Sequence, residues 1–156
     1  MWWALPEHRY ELERTLVLIN SMDRAAWPDA VLDALFGFPK TRLAAYGTLR
    51  PGESNHGMLA ALGGAWVEGT VQGVRFVANG YPAFLSSAAL HESGQTGSDW
   101  VPISVLTSGR LPEDWPRLDE FEGRDYRRIL APVRLGDGTS VVAYLYEYIG
   151  SSKSSA

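Results

Sequence analysis

The chain has 156 residues, a formal charge of −4 and no cysteine. That length fits one domain with enough core to fold unaided, and the missing thiols exclude disulfides, thiol catalysis and cysteine-ligated zinc or iron–sulfur centres. The acidic balance, without a run of lysine or arginine, argues against nucleic acid and favours a small or neutral partner.

Residues 1–40 read as an N-terminal helical extension. Leu12, Leu16 and Ile19 recur at helical spacing. Val31, Leu32, Leu35 and Phe36 mark a second helix that Pro28 opens and Gly37 ends. The apolar run Thr15–Ile19 follows six charged or titratable residues between Glu7 and Arg14 and is too short for a signal core, and nothing approaches the roughly 18 apolar residues of a membrane span. The expectation is a soluble, cytoplasmic protein with no membrane association. Trp2 and Trp3 would make the extension a surface for a homodimer or a protein partner if exposed.

From Arg42 the texture changes to short β-prone runs punctuated by glycine: LAAY, AWVEGTV, GVRFVA, WVPISVL, YRRILAPVRL and SVVAYLYEYI. GDGT at 136–139 joins the last two as a hairpin. One helix interrupts the series at about 112–122, and a weaker one covers 58–62. Gly63–Gly64 and GYPAF (80–84) read as turns, with Pro82 open to either peptide isomer. HESGQTGSDW (91–100) reads as a surface connection and SSKSSA (151–156) as a frayed tail. The fold class expected for 41–150 is α+β: a mixed, mostly antiparallel sheet closed into a small β-barrel with flanking helices.

Two stretches carry chemistry. YGTLRPGESNH (46–56) follows the apolar run Leu43–Tyr46, and it is longer and more polar than the roughly two to five residues a hairpin needs, as a loop built to hold a ligand would be. The second is LPEDWPRLDEFEGRDYRR (111–128). Pro116 suits the first turn of its helix and Gly123 the stop, which leaves Asp119, Glu120 and Glu122 at the end where the helix dipole disfavours negative charge. Glu122 lies four residues after Leu118, beside the apolar face. Burial and dipole both push its carboxyl upward, toward general acid–base use. Arg124, Arg127 and Arg128 equally offer to neutralise it, and on the residues alone both readings stand.

Taken together, YGTLRPGESNH, GYPAF and LDEFEG followed by Tyr126-Arg127-Arg128 resemble the γ-glutamylcyclotransferase-like superfamily, in its AIG2-like and γ-glutamylamine cyclotransferase branch, over roughly 42–149. The resemblance implies a compact barrel with a cavity at one side. It implies a γ-glutamyl substrate bound through the main chain of Tyr46, Gly47, Thr48 and Leu49, with Glu122 as the catalytic acid–base. Tyr126 takes the place of a tyrosine that follows the motif, Tyr146 matches a final-strand aromatic, and Arg50 is a candidate contact for the substrate carboxylate. Cyclisation to 5-oxoproline joins two groups of the substrate, so no cofactor or metal is called for. His8, His56 and His91 show no ligand spacing, and no G-x-S-x-G elbow is present. The alternative, of another class, is a non-catalytic binding or interaction domain on the same fold.

Overall fold

The computed structural model describes residues 1–22, 26–92, 94 and 98–150, without the side chains of 91 and 92. Residues 93 and 95–97 of the 91–100 connection and the tail at 151–156 therefore lie outside the described residues. Helix α1 spans Arg9–Ser21 and buries Leu12, Leu16 and Ile19, the three residues that share a face. Helix α2 (Asp29–Phe36) begins after Pro28 and ends at Gly37, whose φ of 67° is the left-handed conformation that closes a helix. No helix among the described residues is long and apolar enough to cross a membrane.

The strands are β1 (Arg42–Ala45), β2 (Ala65–Ala78), β3 (Tyr81–Ser86), β4 (Asp99–Thr107), β5 (Tyr126–Leu135) and β6 (Ser140–Tyr148). They run in the order β3-β2-β4-β1-β6-β5, and β5 closes back onto β2 through Gly69↔Leu135 and Thr70↔Arg134. The result is a closed five-stranded mixed barrel with β3 as an extra strand; only the β1–β6 pairing is parallel. The GDGT hairpin joins β5 to β6 as expected, with Arg134 opposite Ser140.

Several local readings need correction. AWVEGTV and GVRFVA are one 14-residue strand, not two. Gly73 is no break: a Cβ there would stand 2.3 Å from the Leu85 carbonyl, and one at Gly69 would stand 2.8 Å from that of Arg134. Both glycines let a neighbouring strand come close. GYPAF is not a turn; its last four residues open β3, and the turn is Asn79–Gly80, both at positive φ, as a two-residue hairpin requires. The bond to Pro82 is trans. The weak helix is α3, Gly57–Ala60, and α4 covers Ser87–Glu92. Helix α5 begins at Leu111, so Pro112 fills its first turn and Pro116 sits inside it.

The alternation of β1 and β6 places the site. Leu43 and Ala45 face the helices, whereas Ala44 and Tyr46 face the barrel interior. On β6, Val142, Tyr144 and Tyr146 join the helical side, with Ala143 and Leu145 inside. Trp3, Leu12, Leu16, Leu32 and Phe36 belong to the same core cluster as Leu43, Leu106 and Trp115. Trp3 is buried while Trp2 is exposed. Asn20 fastens α1 to the barrel: its amide donates to the Leu130 carbonyl at 2.9 Å and its oxygen accepts from the Leu130 N–H at 2.9 Å.

Candidate active site

The loop after β1 begins at Tyr46, whose hydroxyl donates to the Tyr146 carbonyl at 2.7 Å and whose ring meets Phe84 at 5.5 Å. The next residues turn their carbonyls into the protein. Arg75 Nε donates to the Tyr46 carbonyl (3.0 Å), Arg50 N–H to that of Gly47 (3.2 Å), and Asn55 N–H to that of Thr48 (2.8 Å). The Leu49 carbonyl accepts from His56 Nδ1 at 3.0 Å. Asn55 Nδ2 also donates to Thr48 Oγ1 at 2.9 Å. With these oxygens occupied, the N–H groups of Gly47, Thr48 and Leu49 donate to no acceptor among the described residues. Consecutive unspent amides form a receptor for negative oxygen. Gly47 is needed for a second reason: a Cβ there would lie 3.0 Å from Pro82 Cβ, so the bare backbone lets β3 close the wall.

Opposite this loop, α5 ends on Glu122. Its carboxyl is pushed up from the usual 4.5 to about 7, first by burial and then by the neighbouring charge of Asp119. The three arginines do not neutralise it. Arg128 forks onto Asp119, Nε to Oδ1 at 2.9 Å and Nη2 to Oδ2 at 3.1 Å, and is stacked 4.5 Å from Trp115 and 4.6 Å from Tyr144. Arg127 faces Glu147 at 3.4 Å, and Arg124 is exposed. Among the described residues Glu122 has no ion pair. Local sequence held both possibilities open; the packing of Arg128 decides between them.

Asp119 does double duty. Its Oδ1 also accepts the Tyr146 hydroxyl at 2.6 Å, so the last turn of α5 is tied to β5 and β6 together. Tyr126 donates to the Pro82 carbonyl at 2.8 Å, and its phenol is pushed up to about 12 by burial and then by Glu122. Burial likewise drives the phenols of Tyr46 and Tyr146 upward. All three tyrosines stay neutral at any ordinary pH.

Loop, helix end and tyrosines enclose one cavity of about 450 Å³. Tyr46, Gly47, Thr48, Leu49, Glu122, Tyr126 and Tyr146 all line it. Arg50 does not: its Nε donates to Ser104 Oγ at 3.2 Å and its Nη2 meets Glu68 at 3.3 Å. Sequence reasoning missed Asp119 as the anchor of the helix end, Pro82 as the facing wall, and Asp125 at the mouth; the LDEFEG spacing marks Asp119 only as one acid among several. No cluster of three histidine or acidic side chains suited to a metal occurs among the described residues. A smaller cavity of about 170 Å³ lies between α1 and the barrel. Its carboxylates Glu13 and Glu147 accept from the hydroxyls of Ser87 and Ser86.

A family model described as gamma-glutamyl cyclotransferase, AIG2-like, matches residues 43–155. Among solved structures, an AIG2-like protein from Mus musculus is 20% identical with a TM-score of 0.53, over 70% of this chain and 78% of that one. YkqA from Bacillus subtilis is 24% identical with a TM-score of 0.53, over 70% of this chain and 36% of that one. An uncharacterized protein from Pyrococcus horikoshii is 26% identical with a TM-score of 0.49, over 70% and 78%. No curated protein matches.

Proposed function

The chain belongs to the gamma-glutamyl cyclotransferase, AIG2-like family, and we propose that it cyclises a γ-glutamyl amine or peptide to 5-oxoproline with release of the amine. The observation that supports this reading best is the pairing, across one cavity, of a carboxyl group titrating at about 7 with three unspent backbone N–H groups. One side moves protons and the other receives negative oxygen, and intramolecular acyl transfer asks for both.

In this reading the substrate's head enters the cavity with its oxygens toward the Gly47–Leu49 amides. Ionised Glu122 takes a proton from the α-ammonium. The freed amine attacks the γ-carbonyl carbon, forming the ring C–N bond and placing negative charge on the carbonyl oxygen. Glu122 then returns the proton to the leaving nitrogen as the old C–N bond breaks, and the second proton that the ring nitrogen must lose passes through the same carboxylate to the released amine, which departs as an ammonium. Protons balance, no water is consumed, and the cavity wall holds the chain folded so that amine and carbonyl meet. Tyr46, Tyr126 and Tyr146 keep their hydroxyls on protein acceptors and serve as walls and supports. Arg50 has no part in it.

The test is product analysis with purified protein, a panel of γ-glutamyl amines and peptides, and isotopically labelled water. The expected result is 5-oxoproline and free amine in equal amounts with no label in the 5-oxoproline. Labelled glutamate would make the protein a hydrolase, and binding without any product would make it a binding domain.

A further inference from the structure

The three unspent N–H groups of the loop after β1 are not all held in the same way. A trans peptide is planar, so its carbonyl and its N–H point to opposite sides, and whatever binds the carbonyl aims the N–H. For Thr48 and Leu49 the hold is the loop's own main chain: the Gly47 carbonyl accepts from Arg50 N–H at 3.2 Å and the Thr48 carbonyl from Asn55 N–H at 2.8 Å. For Gly47 it is a side chain from another element. The Tyr46 carbonyl accepts from Arg75 Nε at 3.0 Å, and Arg75 stands on β2.

Gly47 also resists turning least. Glycine accepts either sign of φ, so the peptide between Tyr46 and Gly47 can reverse at small steric cost, which would carry its N–H away from the cavity that Gly47 lines. The bare backbone that admits Pro82 thus leaves this one peptide in need of an outside hold. Arg75 has no other evident task. It is exposed, and among the described residues its side chain joins no ion pair and makes no hydrogen bond besides the one from Nε.

Resting on the cyclotransferase reading, in which the loop amides receive substrate oxygen, we infer that Arg75 is a positioning residue for the reaction: through Nε it holds the Tyr46–Gly47 peptide so that the Gly47 N–H stays on the cavity. It acts through the backbone and touches no reacting atom.

Two variants separate this hydrogen bond from the rest of the side chain. Glutamine puts Nε2, and methionine Cε, at the same distance along the side chain as arginine Nε. Arg75→Gln therefore keeps a donor without the charge, and Arg75→Met keeps the length without a donor. On the γ-glutamyl amide of butylamine, kcat/KM for 5-oxoproline release should fall about 10- to 100-fold in Arg75→Met, less than the outright loss of an oxyanion donor. In Arg75→Gln it should stay within about threefold of wild type, the part that charge adds to the bond. The second readout needs no turnover. In a Glu122→Gln background, the same amide at saturation should shift the assigned ¹⁵N–¹H signals of Gly47, Thr48 and Leu49 when residue 75 is arginine or glutamine, and those of Thr48 and Leu49 alone when it is methionine. The Thr48 and Leu49 signals also report that the loop is still folded. Equal losses in the two variants, a loss in Arg75→Met below about threefold, or a Gly47 shift that persists in Arg75→Met would overturn the inference. No Gly47 shift with arginine in place would overturn the receptor reading with it. Should no 5-oxoproline form while the Gly47 shift depends on residue 75 as expected, the cyclisation reading falls and positioning by Arg75 is upheld.

Discussion

Glu122→Gln should make the protein more stable, and only above mildly acidic pH. The folded state holds a proton on Glu122 more tightly than the unfolded chain does, because its carboxyl is raised from 4.5 to about 7 by burial and by Asp119. Between those values the native state binds the extra proton, so stability is full below 4.5, falls as pH rises toward about 7, and is flat above. At about 1.4 kcal/mol per pKa unit the gap amounts to roughly 3 kcal/mol, and solvent at the partly exposed carboxyl reduces the expectation to about 2 kcal/mol. Glutamine has the shape of the protonated acid and no charge to bury. Denaturant unfolding of both proteins across the range from about pH 4 to about pH 8 measures it, with the variant gaining about 2 kcal/mol at the alkaline end and almost nothing at the acid end. A gain independent of pH, or none at the alkaline end, would refute the assignment of Glu122 as a buried, unneutralised acid.

Other substitutions probe the supports. Gly47→Ala sets a methyl group 3.0 Å from Pro82 Cβ; turnover should fall about tenfold while the melting temperature changes by only a few degrees, roughly the effect of about 1 kcal/mol. Asp119→Asn removes the charge that raises Glu122 and one partner of Arg128, so the acid limb of the kcat/KM pH profile should move below about 7 and stability should drop by about 2 kcal/mol. Asn20→Ala breaks both 2.9 Å bonds to Leu130, and unfolding should show a loss of about 2–3 kcal/mol without a shift in that pH limb.

The sequence made legible whatever is written in local periodicity. Leu12, Leu16 and Ile19 mark α1, Gly37 closes α2, GDGT turns β5 into β6, and an acid at the dipole's unfavourable end flags Glu122. Glycine was ambiguous because one residue type answers two needs: Gly80 serves a turn, whereas Gly69 and Gly73 serve close backbone approach inside a strand. The Asn79–Gly80 pair carried a hairpin signal that the neighbouring Pro82 obscured. Pro116 looked like a first-turn proline because Pro112, the residue that fills that role, stands one turn earlier. The partners of arginine were the least legible of all. Nothing in the spacing says that Arg50 turns to Glu68 and Ser104, or that Arg128 folds back onto Asp119 between Trp115 and Tyr144. Those choices are made by the closed barrel, which brings together strands far apart in the chain.

The proton shuttle at Glu122 is the claim on which the rest depends, and steady-state release of 5-oxoproline by the wild-type protein and Glu122→Gln, side by side on the γ-glutamyl amide of butylamine, tests it most directly. A folded variant slower by about 10²- to 10⁴-fold, the range that a positioned acid–base group supplies, is the predicted result. A variant within about tenfold of wild type would contradict the role and move the chemistry to another group.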